Sequence, residues 1–115
     1  MTLRQKQSIF ALRVARLIIR ANEMGYELTG GEWYRSPQEA ARLAKLGIGI
    51  AKSLHTQRIA IDLNLFKDGV YLSSSEAFRP LGEWWERQSS PGAECAWGGR
   101  FKDGGHFSIA HGGRK

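Results

Sequence analysis

Apolar residues recur every seven positions at the start of this chain: Leu3, Phe10, Leu17 and Met24, with Val14 and Ala21 between them. One face of a helix repeats at that spacing, so residues 3 to 24 are expected to form an amphipathic helix. Gly25 stands where such a helix stops. Arg13, Arg16 and Arg20 make a basic stripe on another face. That stripe reads either as a solvated face or as a surface for wall polymer or nucleic acid. Tyr26 to Thr29 alternates as a short strand. Ser36, Pro37 and Glu39 then give a capping box, which predicts a helix to about Leu46 that stops at Gly47.

From Arg58 to Phe66 the period changes to two. Ile59, Ile61, Leu63 and Leu65 share one face of a strand, and Ala60, Asp62 and Asn64 share the other. Lys67-Asp68-Gly69 is a hairpin turn, returning as a strand over Val70 to Leu72. The serines at 73 to 75 cap a helix to about Gln88, and Pro80 either marks its true start or bends its first turns. At least one of Trp84 and Trp85 belongs to the core. Gln88 to Glu94 is a loop. The last strand spans His106 to Ala110, and the tail, residues 111–115, is expected to be flexible.

Length and charge narrow the picture. The 115 residues make one domain, 42% hydrophobic, with a net charge of +6. A basic chain suits anionic partners such as nucleic acid, anionic lipid or the bacterial wall. Cys95 is the only cysteine, so no intramolecular disulfide supports the fold. It reads as a partly buried thiol. The first twenty residues lack an apolar core and a cleavage site, so no signal peptide and no membrane insertion are expected.

Two segments carry candidate chemistry. His55 precedes the strand whose polar face presents Asp62. Asp103-Gly104-Gly105-His106 places a second acid and a second imidazole around a glycine turn. Two imidazoles and one carboxylate suit a metal with an open position for water, and a further carboxylate can take the proton of that water. Taken singly, each segment is also compatible with an exposed histidine or an ordinary hairpin turn.

Together the segments resemble a known family. Ser53, His55, Ala60, Asp62 and Leu63, then Trp97-Gly98-Gly99, Asp103, His106 and Phe107, give S-x-H-x6-D followed by W-G-G and D-x-x-H-F. This is similar to the zinc D-Ala-D-Ala carboxypeptidase and L-alanyl-D-glutamate endopeptidase family, peptidase family M15, and most of all to its small phage endolysin branch. The upstream Tyr34-Arg35 before a helix resembles it too. The resemblance spans about residues 25 to 110.

It implies a single α+β domain of Hedgehog/DD-peptidase-like fold, with an antiparallel sheet carrying zinc and helices on the other face. It implies one zinc ion held by His55, Asp62 and His106, with Asp103 as general base. Arg35 would stabilise an oxyanion, or else sit in a surface ion pair. Ser53 would contact substrate or brace the loop before His55. Trp97 would line the cleft or pack in the core. The substrate would be the peptidoglycan stem peptide in the anionic wall, with the enzyme a monomer made in the cytoplasm and acting after release. An internal cut between L-Ala and D-Glu is expected, because Gly98-Gly99 and Gly104-Gly105 suggest an open, mobile rim and only Lys52 and Arg58 stand near His55 to await a terminal carboxylate. The alternatives are D-Ala-D-Ala carboxypeptidase, a non-catalytic wall-binding module, and a basic nucleic-acid binder.

Overall fold

The heptad stripe becomes one side of the core. In the computed structural model, which describes residues 1–115, helix α1 spans Leu3–Glu23. Thr2 and Gln5 close a capping box at its start, and Gly25 adopts a positive φ just past its end. Phe10, Val14, Leu17 and Ala21 are all buried. Each of the large ones contributes about 1.5–3 kcal/mol by leaving water.

Strand β1 (Glu27–Gly30) leads to helix α2 (Pro37–Lys45). The Ser36 hydroxyl accepts from the Glu39 N–H, but the Glu39 carboxylate turns to Arg42. The expected capping box is therefore half formed, because an arginine one turn away offers a stronger partner. Strand β2 (Ala60–Lys67) is the centre of an antiparallel sheet. One edge pairs with β1, Leu28 opposite Leu65. The other edge is divided between β3 (Val70–Leu72) and β5 (His106–Ile109). Strand β4 (Cys95–Trp97) pairs outside β5. Asp68 and Gly69 both have positive φ, the conformation a two-residue hairpin turn needs.

Strand β4 lies where the residue pattern predicts no element, since three residues are too few to show a period. Arg58 is not part of β2. Its φ of 58° closes the short 3-10 helix Leu54–Gln57. Pro80 marks a true start: helix α3 runs Arg79–Arg87, after a separate turn at Glu76–Phe78. Trp85 is fully buried, donates to the Ser108 carbonyl at 3.0 Å, and stacks edge-on with Phe10 and Phe107. Trp97 is core as well, and its indole N–H donates to Gly104 O at 2.8 Å.

Arg13, Cys95 and the glycine rim differ from expectation. Arg13 is buried, not part of a solvated stripe. Its guanidinium donates to Ala93 O at 2.9 Å, Ser90 Oγ at 2.7 Å and Cys95 Sγ at 3.1 Å, tying α1 to the loop before β4. Cys95 is accordingly fully inside, and burial pushes its thiol pKa up against the opposing effect of Arg13. Residues 111–114 form a closed turn: His111 and Arg114 exchange backbone hydrogen bonds at 3.0 Å, and Lys6 Nζ holds Ala110 O and His111 Nδ1, each at 3.1 Å. The glycine rim is also tightly packed. A Cβ on Gly98 would lie 2.1 Å from Asp103 O, and one on Gly104 would lie 2.4 Å from Ser75 Cα. These glycines permit close backbone approach rather than a mobile lip. No helix is long and apolar enough to cross a membrane.

Candidate metal centre

Strand alternation puts Ile61 and Leu63 into the core and turns Asp62 to the opposite face. Register then pairs Asp62 with His106 on β5. The third member comes from the 3-10 turn. Ser53 is its N-cap, its Oγ accepting from His55 N–H at 3.2 Å, so the buried Ser53 braces the turn that carries His55.

The side chains converge. His55 Nε2 lies 3.4 Å from Asp62 Oδ2, and His106 Nδ1 lies 3.4 Å from Asp62 Oδ1. Ligand-type atoms of all three fall within 4.8 Å of one another. His55 Nδ1 is 3.1 Å from the Trp33 carbonyl, which can only accept. That bond places a proton on Nδ1 and turns Nε2 toward Asp62. Asp62 Oδ1 and His106 Nε2 are buried and make no hydrogen bond. Buried polar atoms are nearly always paired, so a carboxylate and an imidazole left short within one cluster suit a cation. The His55-Asp62-His106 group could therefore hold a metal ion.

The protonation balance agrees with the geometry. Burial raises the Asp62 pKa, but His106 and His55 beside it outweigh burial and hold the carboxyl far below the usual carboxylate range. Burial favours neutral His55, yet Asp62 and the Trp33 carbonyl bring its pKa above the ordinary value. Asp103 goes the other way. Desolvation at the cleft wall raises it and Asp62 adds to this, while His106 and His55 oppose. A carboxyl with a raised pKa is a better proton acceptor than an ordinary one.

All six residues singled out in the sequence line one cleft of about 510 Å³: His55, Asp62, His106, Asp103, Arg35 and Ser53. Arg35 does not face the cleft as a free cation. Two of its guanidinium nitrogens hold Glu32 Oε1, one of them at 2.8 Å. Glu32 was not anticipated, although Glu-x-x-Arg is a recognisable ion-pair spacing. Arg114 and Lys115 were also missed as cleft residues. Their signal was Gly112-Gly113, both at positive φ, a two-residue turn that folds the tail back.

The fold and this cleft define a small α+β domain of peptidase-like architecture, with an antiparallel sheet bearing a potential metal group. Among solved structures, the L-Ala D-Glu endopeptidase ChiX of Serratia marcescens has a similar fold, with a TM-score of 0.67 and 23% identity over 86% of this chain and 77% of that one. At that identity the likeness establishes the fold. No family model matches the sequence, and no curated protein does either.

Proposed function

We propose that this protein is a zinc-dependent peptidoglycan peptidase that cuts the amide between L-Ala and D-Glu of the stem peptide, in the manner of a phage-type endolysin. The observation that carries the proposal is the His55-Asp62-His106 group, opening into a cleft with Asp103 at its wall, on the fold of an L-Ala D-Glu endopeptidase. The donor set favours zinc, which takes imidazole nitrogen and carboxylate oxygen. Two ligand atoms at ~2.0–2.1 Å from a tetrahedral ion stand ~3.3 Å apart, close to the spacing of Asp62 from each imidazole. When bound, the metal supplies Lewis acidity, making water acidic and a carbonyl electrophilic near neutral pH.

The chain's own groups do the rest. Asp103 accepts the proton of the attacking water and passes it to the leaving amine, as its raised pKa suits. Arg35, held in place by Glu32, presents fixed positive charge to the developing oxyanion. Ser53 keeps the His55 turn in register. The active unit is proposed to be the monomer. The +6 charge draws it to the anionic wall.

Mass spectrometry of fragments released from purified peptidoglycan tests the reading. New N-terminal D-Glu, with muramyl-L-Ala left on the glycan, is the expected result. Release of free D-Ala alone would transfer the protein to the carboxypeptidases, and wall binding without release would make it a binding module.

A further inference from the structure

Three cationic residues line the cleft, and they are not equivalent. Arg35 is already paired with Glu32 and assigned to the oxyanion. Lys115 Nζ lies 3.5 Å from Glu94 Oε2. Arg114 alone has no acid within ion-pair distance. Its backbone, by contrast, is fixed: it closes the Gly112-Gly113 turn on His111, and Lys6 anchors that turn to α1. Arg114 also lines the adjoining cavity with Lys52, Thr56, Gln57 and His111. A cation without an acid partner, mounted on a pinned turn at the edge of a reaction cleft, is suited to an anionic group on the substrate.

The same cleft holds two carboxylates, Asp62 and Asp103. With the cation bound at Asp62, Asp103 is the carboxylate left facing an anionic substrate group, and a cation placed away from Asp103 favours that group. The stem peptide carries such a group at a defined place. Its D-Glu continues the chain through the γ-carboxyl, leaving the α-carboxylate free, one carbon from the nitrogen of the L-Ala–D-Glu amide. We propose that Arg114 is a specificity-determining residue that binds this free α-carboxylate on the leaving-group side of the cut, with Lys52 of the neighbouring cavity adding to the local positive field. This inference rests on the stem-peptide reading above. Lys52 and Arg58 are then not the only cations ready for a carboxylate, because the folded tail contributes Arg114.

The test uses two peptides that differ at one group: L-Ala-γ-D-Glu-L-Lys with the α-carboxylate free, and the same peptide with that carboxylate converted to carboxamide. Zinc-loaded wild type, Arg114→Ala and Arg114→Lys are compared on both. Wild type is expected to prefer the carboxylate peptide by ~10-fold or more in kcat/KM, chiefly through KM, the scale of one charge-assisted hydrogen bond. In Arg114→Ala that preference collapses toward unity, and Arg114→Lys keeps part of it. Circular dichroism and zinc stoichiometry confirm that the variants are folded and loaded. Equal cleavage of both peptides by wild type, or an undiminished preference in Arg114→Ala, overturns the inference. If wild type cleaves neither peptide, the stem-peptide hydrolase reading fails, and calorimetric binding of the same peptides still decides the subsite. Weaker binding of the carboxylate peptide by Arg114→Ala supports it, and equal binding by both proteins overturns it.

Discussion

Two clusters of largely buried polar side chains sit in this small domain, and they differ in how their hydrogen bonds close. Behind α1, Arg13 meets Ser90, Ala93 and Cys95 at 2.7–3.1 Å, and the guanidinium is consumed by protein acceptors. On the polar face of β2 and β5, His55, Asp62 and His106 approach only to 3.4 Å, and two of their atoms have no hydrogen bond. The first cluster joins a helix to a loop and needs nothing further. The second converges on a point beside an open cleft and is suited to completion by a cation. Burial and charge are common to both, so neither property alone identifies a site. What separates them is that the second leaves hydrogen bonds unmade beside the cleft.

Removing a ligand should have the largest effect. His106→Ala or Asp62→Asn is expected to abolish zinc binding and wall hydrolysis, and to remove the rise in melting temperature that zinc gives wild type. Calorimetric zinc titration and thermal melts with and without chelator check this. Arg13→Ala should instead leave zinc stoichiometry unchanged and destabilise the fold by ~3 kcal/mol, since it strips a charged donor from several buried acceptors. Urea unfolding of the two variants side by side separates the clusters. If Arg13→Ala also lost zinc, the distinction between a closed and an unfilled cluster would fail.

Asp103→Asn should retain zinc and lose ~10²-fold or more in hydrolysis, the scale of a positioned general base. Its stability should go the other way. A carboxyl whose folded pKa is raised stabilises the fold only below its unfolded pKa and opposes it once ionised at higher pH. The metal-free variant is therefore expected to melt no lower than wild type at neutral pH, while at acid pH the two converge. A clear drop in melting temperature at neutral pH would recast Asp103 as a structural turn residue. Smallest of all, Ser53→Ala should cost ~1 kcal/mol through the lost N-cap, with a modest fall in zinc affinity as the His55 turn loosens.

The same contrast governs how much of the fold and the site is legible in the amino-acid sequence. The α1 stripe and the alternation through β2 are readable because one face of each is buried and the period is long enough to show. That alternation also places Asp62 away from the core. Joining it to His55 and His106 requires the family resemblance, since residues 55, 62 and 106 meet only through β2–β5 register and a 3-10 turn. Arg13 is misplaced by its sequence pattern because a charged residue defaults to the surface unless its acceptors are known, and those lie about eighty positions away. Gly98 and Gly104 look like flexibility and are points of close packing, a difference that sequence cannot express without the neighbouring backbone. The tail turn is easily overlooked although Gly112-Gly113 announces it, and with it goes the cleft wall that carries Arg114.

That the second cluster is a metal site is the central claim, and anomalous diffraction at the zinc edge addresses it directly. Crystals grown from protein supplied with one equivalent of zinc should show a single anomalous peak bounded by His55 Nε2, the Asp62 carboxylate and His106. A zinc peak elsewhere, or none, with Asp62 hydrogen-bonded directly to both imidazoles, would contradict it.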